Sequence, residues 1–393
     1  MNEIVRAIDR RRRPRRPDVL RVAIVAESFM PAVNGVTNSV LRIAEQLTAA
    51  GHECVVIAPG PGPALVEGTP VLRVRSFDLP RYGDLRVGLP TARLAAMFKR
   101  IAPDVVHLAA PAVLGAAGAL AARRVGIPSV AVYQTDLAGF ARRQRLGLAH
   151  RPLWKWTAWV HQRADLTLAP STSAVWALRS HGVPDVALWA RGVDLERFHP
   201  QHRSDAWRRT LASDGETIVG FVGRLAPEKQ VDRLIATSAR PNVRVVVVGD
   251  GPERARLHAA MPRAKFLGVR HGSELGELYA SFDVFAHAGL DETFCQAVQE
   301  ALASGLPVVA PASGGPLDLV RHGQNGYLWN PADPSSFTEA ISELVGHPAL
   351  RRRLGAAARS SVEARPWSRL ADELIDHYRS VGAVSSIRRR RAA

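Results

Sequence analysis

Short apolar runs alternate with segments of helix length along this chain, and the first run lies at residues 21–26 (RVAIVA). After Arg21 this run is apolar without interruption, which is typical of a strand that is buried on both faces. The later runs have the same character and lie at residues 54–58, 71–74, 105–108, 130–133, 166–169 and 186–189. Because most of them are separated by enough residues for a helix, the pattern predicts a parallel sheet with helices on both faces.

A polar connection that ends in proline, residues 191–200, interrupts this alternation, which then begins again. The second series of runs lies at residues 217–222, 243–248, 265–267, 284–286 and 308–310. We therefore predict an α/β protein of two Rossmann-like, doubly wound domains that face a central cleft, with ligands beyond the carboxyl ends of the strands. The predicted parts are a basic arm (1–19), an N-terminal domain (20–196), a C-terminal domain (197–365), a C-terminal helix that packs back toward the N-terminal domain (366–381) and a basic tail (382–393).

The net charge of +16 is concentrated at the two ends of the chain. Residues 1–21 contain eight Arg and three acidic residues, and residues 388–391 are four consecutive Arg. Such charge attracts nucleic acid, anionic lipid or anionic nucleotides equally well. Because the body of the chain contains no recognisable nucleic-acid module, we expect no specific nucleic-acid partner.

The chain contains two cysteines, Cys54 and Cys295, which are too few for a disulfide framework or a tetrahedral zinc site. No apolar segment follows the charged N-terminus, and the longest weakly polar run, residues 108–122, is shorter than the roughly 20 residues of a membrane-spanning helix. We expect a cytoplasmic protein that contacts the inner face of the cell membrane at most peripherally.

The first candidate for chemistry is the loop after residues 217–222, in which Gly223 and Arg224 are followed by Lys229. The planar fork of an arginine and the compact charge of a lysine suit a diphosphate. Exposed pairs of this kind are more often solvated surface. A glycine turn follows the next predicted strand at residues 249–251, where a plain strand-to-helix connection is the competing interpretation.

The second candidate is a pair of carboxylates, Glu292 and Glu300, in the segment DETFCQAVQEA. A mostly helical segment would separate them by ~12 Å along its axis, which is comparable to the span from sugar to ribose across a diphosphate. Carboxylates accept hydrogen bonds from vicinal hydroxyls, and a helix N-terminus favours phosphate. Strand, Arg–Lys loop, glycine turn and spaced glutamates in this order predict a nucleotide-sugar site.

Over nearly all of residues 20–380 the sequence resembles glycosyltransferase family 4, retaining enzymes of the GT-B fold. The resemblance rests on the features above, on residues 33–36 (VNGV) and on residues 313–316 (SGGP). It implies that the first domain binds the acceptor and the second the donor nucleotide. The donor-site residues that it implies are Gly35, Gly223, Arg224, Lys229, Val269, Glu292, Phe294 and Glu300.

Among these, the resemblance assigns the diphosphate to Arg224 and Lys229, the sugar hydroxyls to Glu292 and the ribose to Glu300. The backbone N–H of Gly35 would approach the phosphate, and the loop at residues 268–269 would lie near the base.

One position departs from the family pattern, because Gln134 stands where many members have a histidine that contacts the transferred sugar. Glutamine can bind a hydroxyl but cannot shuttle a proton. We therefore predict four catalytic residues: Glu292, Arg224, Lys229 and Gln134. Of these, Gln134 is expected to bind a sugar hydroxyl without exchanging a proton. Because no Asp-x-Asp pair occurs, we expect no essential metal and no other cofactor.

A stretch of mixed cations and aromatic residues in the first half suits an anionic membrane surface. It comprises Phe140, Arg142, Arg143, Arg145, Arg151, Trp154, Lys155, Trp156 and Trp159. The alternative is a helix pair whose tryptophans pack in the core.

The chain also resembles actinobacterial lipid mannosyltransferases, which implies GDP-mannose as donor and a glycolipid or lipid-linked acceptor. A UDP-sugar donor remains an alternative. So does a nucleotide-sugar epimerase of the same fold, for which His107 is the candidate acid/base residue.

Overall fold

The structure is a computed structural model that describes Arg16 and residues 18–32, 34–78, 86–89, 93–139 and 150–392. Most of the predicted basic arm, Val33 and residues 140–149 with Phe140 and three of the predicted membrane-facing arginines lie outside the described residues. The chain forms two compact units, of which the second is Ala190–Arg369, and the C-terminal segment from Leu370 belongs to the first. Residues 190–196, which the sequence pattern assigns to the N-terminal domain, thus belong to the second unit.

The first unit is built on an eight-stranded sheet in the order β10-β9-β8-β7-β1-β2-β4-β3, in which only β3 pairs antiparallel. Two further strands, β5 and β6, form a separate antiparallel pair. The strands are β1 (Arg21–Ala26), β2 (Glu53–Pro59), β3 (Leu65–Val66), β4 (Thr69–Val74), β5 (Ser76–Asp78), β6 (Arg86–Gly88), β7 (Val105–Ala109), β8 (Ser129–Val132), β9 (Leu166–Ala169) and β10 (Val186–Leu188). Its helices are α1 (Gly35–Ala49), α2 (Leu94–Ile101), α3 (Leu114–Val125), α4 (His150–His161) and α5 (Thr172–Ser180).

Strand β1 lies at the centre of this sheet, and every one of its residues is buried. Side chains of its two faces belong to different cores, since Ile24 packs in one hydrophobic cluster and Val25 in another. Alternate residues of a strand point to opposite faces, so a central strand covered on both faces must be apolar throughout. The uninterrupted apolar run in the sequence has this physical cause.

The loop after β1 is fixed by the carboxylate of Glu27, which accepts hydrogen bonds from four backbone N–H groups at the start of α3. Burial raises the pKa of Glu27, although these four bonds oppose the shift. The first N–H groups of a helix have no intrahelical partner, and an anionic acceptor satisfies them. Glu27 thereby ties the β1–α1 connection to the N-terminus of α3.

The C-terminal helix α14 spans Trp367–Ala392 and is longer than the predicted helix at residues 366–381, because it continues through the predicted basic tail. Leu374 and Ile375 pack in the same cluster as Ile24. The Tyr378 hydroxyl lies 2.7 Å from Nδ1 of the buried His107. This segment of α14 therefore completes the core of the first unit.

The second unit contains a parallel six-stranded sheet in the order β13-β12-β11-β14-β15-β16. The strands are β11 (Thr217–Val222), β12 (Val243–Val248), β13 (Lys265–Gly268), β14 (Val284–Ala286), β15 (Val308–Pro311) and β16 (Gly326–Trp329). The helices are α6 (Asp205–Leu211), α7 (Ile235–Ser238), α8 (Arg254–Ala260), α9 (Gly272–Ser281), α10 (Gln296–Ala303), α11 (Pro316–Leu319), α12 (Ser335–Gly346) and α13 (Pro348–Val362). Single 3-10 turns lie at Pro200–His202, Pro227–Lys229 and Val231–Leu234.

The order of this sheet places β11 between β12 and β14, so the loops that follow these three strands lie together at one edge. The chain runs from β11 outward through β12 to β13 and then crosses to β14 on the other side of β11, so the switch point of the sheet lies between β11 and β14. The two predicted doubly wound α/β units are confirmed. Strands β3, β5, β6 and β16 were not predicted; β3 has two residues, β5 and β6 have three each, and β16 has four.

Candidate functional site

The loops after β11 and β12 in the second unit are packed backbone against backbone. Gly223 donates to the Val248 carbonyl at 3.0 Å, and Leu225 donates to the Asp250 carbonyl at 2.9 Å. A Cβ atom on Gly249 would lie 1.9 Å from the Gly223 oxygen, and the φ of Gly249 is 135°. Only glycine fits such an approach. The glycine turn therefore supports the Arg–Lys loop and is more than a plain connection.

Glu292 and Lys229 meet beside this loop, because Lys229 ends the 3-10 turn after β11 and Glu292 lies in the loop after β14. Lys229 Nζ is 2.5 Å from Glu292 Oε1, and His287 Nε2 approaches the same oxygen at 3.2 Å. Glu292 is 16% exposed and His287 is almost fully buried. Glu292 Oε2 has no hydrogen-bond partner within the part of the chain that the structure describes. One carboxylate oxygen is thus held from two sides, and the other is available to a ligand.

The charges in this cluster hold Glu292 ionised. Burial by itself would raise the pKa of Glu292, but Lys229 and His287 outweigh it and lower that pKa far below its usual range. Burial lowers the pKa of Lys229, and the neighbouring Glu292 reverses the effect, so the net shift is upward. Each partner thus stabilises the charged form of the other.

Arg191 contributes a further charge near Glu292. Burial lowers the pKa of Arg191 to about 10, against the opposing attraction of Glu292. Its backbone is bound to α10, because the Arg191 carbonyl accepts from Gln299 Nε2 at 2.9 Å and the Gly192 carbonyl accepts from Gln296 Nε2 at 3.1 Å. Arg191 and Lys229 both place positive charge beside Glu292, and Glu228 adds a second carboxylate next to Lys229.

The second predicted carboxylate, Glu300, lies within α10 and has different surroundings. The Tyr279 hydroxyl donates a hydrogen bond to Glu300 Oε2 at 3.1 Å. Burial raises the pKa of Glu300 to about 7, although Tyr279 and Arg197 oppose the shift. Glu300 therefore changes charge near neutral pH, whereas Glu292 stays ionised.

Helix α10 begins only at Gln296, and Cys295 at its N-cap has a left-handed φ of 80°. The predicted axial separation of the two glutamates therefore does not apply, because Glu292 lies in the loop before the helix and only Glu300 lies within it. The Glu292 carbonyl accepts a hydrogen bond from the Gly315 N–H at 2.8 Å. A Cβ on Gly315 would lie 2.2 Å from the Phe294 oxygen, so this loop too requires glycine at its contact.

The remaining predicted donor residues of the second unit differ in exposure. Arg224 is exposed, and its side chain has no hydrogen bond or ion pair among the described residues. Val269 follows β13 and is 53% exposed. The side chain of Phe294 is 2% exposed and belongs to the hydrophobic core, so only its backbone could contact a ligand.

Two predicted residues lie in the first unit. Gly35 is the first residue of α1, whose N-cap Asn34 accepts hydrogen bonds from the backbone N–H groups of Val36 and Thr37. Gln134 is buried and follows β8 closely. No observation within either unit tests the roles that the resemblance gives them.

Sequence reasoning missed His287, Arg191 and Tyr279. The position of His287 directly after β14, at the carboxyl end of a predicted strand, was a signal that could have identified it. Arg191 lies in a connection that resembles ordinary polar linker, and Tyr279 occupies a helix without a motif. Neither carries a signal in the sequence.

His287, Glu292 and Cys295 also form the cluster of possible metal ligands found among the described residues, with ligand atoms within 4.8 Å of one another. The cluster fits a metal poorly, because Lys229 Nζ already binds the carboxylate. Burial also raises the pKa of the Cys295 thiol well above its usual value, and metals bind the thiolate. The ammonium of Lys229 already supplies the positive charge next to this carboxylate.

Known proteins resemble this chain over nearly its whole length. The family model "Glycosyltransferase Family 4" matches residues 33–197, and "Glycosyl transferases group 1" matches residues 203–361. The chain is 51% identical to a GDP-mannose-dependent alpha-mannosyltransferase of Mycolicibacterium smegmatis, over 94% of this chain and 100% of that protein. It is 45% identical to a protein of the same name from Corynebacterium glutamicum, over 93% of this chain and 90% of that protein.

Among solved structures, Anabaena HepE in complex with UDP matches with a TM-score of 0.76 at 22% identity, over 92% of this chain and 100% of that chain. A likeness at this identity concerns the fold, which is the GT-B fold of glycosyltransferases.

We predict that Lys229→Met raises the pKa of Glu292, because the substitution removes the principal charge that opposes burial. The measurement is a pH titration of ¹³C-labelled glutamate side chains by NMR. Arg224→Met is the matched control and should leave that pKa unchanged, since Arg224 is exposed and unpaired among the described residues. Equal shifts in both variants would contradict the assigned ion pair.

Proposed function

The chain belongs to glycosyltransferase family 4, and we propose that it transfers mannose from GDP-mannose to a glycolipid or lipid-linked acceptor with retention of configuration. It is thus a GT-B enzyme that uses a nucleotide-sugar donor. The proposed donor rests on the high identity to the two relatives over nearly their whole length. The acceptor rests on the resemblance to lipid mannosyltransferases alone.

The observation that carries the proposal is the charged cluster around Glu292. Arg191 and Lys229 place positive charge beside the Glu292 carboxylate, and the loop that carries Lys229 also carries the exposed Arg224, as a diphosphate next to a sugar would require. The free Oε2 of Glu292 is a strong acceptor for sugar hydroxyls. Arg224 and Lys229 would stabilise the charge of the departing nucleotide.

The low pKa of Glu292 bears on its role in the reaction. A carboxylate that stays ionised cannot act as a general acid, and Lys229 reduces its strength as a nucleophile. Glu292 therefore binds and orients the sugar. In the proposed mechanism the departing phosphate oxygen accepts the proton of the acceptor hydroxyl on the same face of the sugar, while Gln134 binds a hydroxyl.

The epimerase alternative loses its candidate acid/base residue. His107 is fully buried and hydrogen-bonded to Tyr378, and burial lowers its pKa to about 3. A neutral histidine within the core of the first unit does not titrate near neutral pH. A UDP-sugar donor remains the competing candidate.

The donor and the need for a metal are tested together by thermal shift with a panel of nucleotide sugars. We predict that GDP-mannose raises the melting temperature and that UDP-sugars do not, since ligands stabilise only the state that they bind. The shift and the transfer activity should persist in EDTA, because Arg224 and Lys229 supply the charge that a metal would otherwise provide. A shift with UDP-sugars alone would overturn the donor, and activity lost in EDTA and restored by added metal would overturn metal independence.

The raised pKa of Glu300 predicts that kcat/KM for the donor depends on pH. Its pKa is raised to about 7, so the carboxyl is neutral below that pH and becomes a stronger acceptor for ribose hydroxyls above it. We expect kcat/KM for the donor to rise between about pH 6 and about pH 8. Glu300→Gln should flatten the rise, whereas Glu343→Gln, a substitution on α12, should keep it. A wild-type profile that persists in Glu300→Gln would contradict the ribose assignment.

Contact with an anionic membrane surface is the remaining part of the proposal. None of the described helices is both long and apolar enough to cross a membrane. Trp176 on α5 is 73% exposed and Trp156 on α4 is 39% exposed, as interfacial anchors require. Trp154 is not available, because it is buried and stacked on His181 with ring centroids 3.9 Å apart.

Flotation with liposomes tests this contact. The protein should float with vesicles that contain anionic lipid and less with neutral vesicles, and Trp176→Ser should reduce the bound fraction. Leu317→Ser, which changes an exposed apolar residue of the second unit, is the matched control and should not. Flotation with neither type of vesicle would refute membrane association.

A further inference from the structure

We propose that His287 is a positioning residue that fixes the direction of the Glu292 carboxylate toward the sugar of the donor. This inference rests on the proposed function, because it assumes that Glu292 binds sugar hydroxyls. Neither the sequence pattern nor the family resemblance assigned a role to His287.

The ring of His287 has a defined orientation. It follows β14 directly, is 2% exposed and lies nearly parallel to the ring of Phe221, with centroids 6.3 Å apart and an interplanar angle of 8°. Its carbonyl accepts a hydrogen bond from Trp329 Nε1 at 3.3 Å. Backbone and ring are therefore both constrained by groups that are themselves buried.

The ring places its Nε2 3.2 Å from Glu292 Oε1, the oxygen that Lys229 also binds. The chain between His287 and Glu292 packs against the Lys229 loop, since a Cβ on Gly289 would lie 3.1 Å from His287 Nε2 and 3.0 Å from the backbone oxygen of Glu228. A lysine on a flexible stem fixes the charge next to Glu292 but only weakly fixes its rotation. The rigid imidazole of His287 restricts the rotation of the carboxylate from a second side.

Both ring nitrogens of His287 are buried, but their surroundings differ. Nδ1 has no hydrogen-bond partner among the described residues, whereas Nε2 lies 3.2 Å from Glu292 Oε1, within hydrogen-bond distance but outside the usual hydrogen-bond geometry. A small rotation of the imidazole or of the carboxylate aligns the two atoms, as is common when a site without ligand closes on its substrate. The proposal therefore assigns the hydrogen bond to Glu292 to a proton on Nε2.

This arrangement predicts an effect on the sugar and not on the nucleotide. With Oε1 held by two donors, the lone pairs of Oε2 keep one direction, and a sugar hydroxyl that binds them is oriented for the reaction. Without His287 the carboxylate stays ionised by Lys229 but can rotate. Orientation of the sugar is then lost while the diphosphate contacts remain.

The test uses His287→Phe, which keeps an aromatic ring against Phe221 but removes the donor, and His287→Gln, which restores an N–H donor. His258→Phe is the matched control, because His258 is an exposed histidine that packs against Phe266 in the same unit. We expect His287→Phe to lower kcat about ten- to a hundredfold with the affinity for GDP unchanged. His287→Gln should recover most of that loss, and His258→Phe should behave as wild type. Unchanged kcat in His287→Phe, equal losses for GDP and donor, or no rescue by His287→Gln would overturn the proposal.

A second measurement separates this inference from the donor assignment. Monodeoxy analogues of the donor that the panel identifies are compared in wild type and in His287→Phe. The hydroxyl whose removal most reduces kcat/KM in wild type should matter much less in the variant, because its acceptor is no longer oriented. An equal penalty in both proteins would refute the role of His287 whichever nucleotide sugar is the donor. If GDP-mannose is not the donor, only the thermal-shift panel of nucleotide sugars would show it, and the comparison of analogues would be unaffected.

Discussion

The enclosed carboxylate of Glu292 is the constraint around which the second unit is arranged. A buried charge is tolerated only when partners compensate for the lost hydration. Lys229 and His287 meet one oxygen of Glu292, and Arg191 adds charge nearby. These residues come from three separate parts of the chain, so a charged site of this kind requires the whole sheet to be folded.

The loops that carry these residues come close enough to meet because they lack side chains at their contacts. Gly249 permits the approach of the Gly223 carbonyl, and Gly315 packs on the backbone of Phe294. Gly249 and Gly315 are therefore needed because no Cβ atom fits at these contacts between loops. The resulting close packing places the Arg–Lys loop and the Glu292 loop at the switch point of a parallel sheet, where the carboxyl ends of neighbouring strands meet.

Two carboxylates that look alike in the sequence differ in chemistry. Glu292 lies beside cations and stays ionised, whereas burial dominates at Glu300 and brings its pKa to about 7. Their environments suit different tasks: in the proposed mechanism Glu292 is a permanent charge beside the sugar, and Glu300 is a hydroxyl contact that changes with pH. A motif defined only by its spacing contains no information on this difference.

The fold class and most strands were predictable because a parallel sheet covered on both faces demands apolar runs such as residues 22–26 of β1 and residues 245–248 of β12. Arg224, Lys229, Glu292 and Glu300 were recognisable as candidates because they follow such strands at fixed spacing. The sequence could not predict that Glu292 precedes its helix, that Phe294 packs in the core or that α14 continues to Ala392. Those outcomes depend on contacts between distant residues.

The sequence by itself determined two α/β units and predicted a nucleotide-sugar site with the residues of its motif, since local apolar periodicity and motif spacing are written directly in the chain. Only the tertiary structure decided which oxygen of Glu292 is free, which groups hold the other one and that His287 and Arg191 belong to the site. The physical reason is that electrostatic compensation acts through space. It brings together residues that no periodicity links.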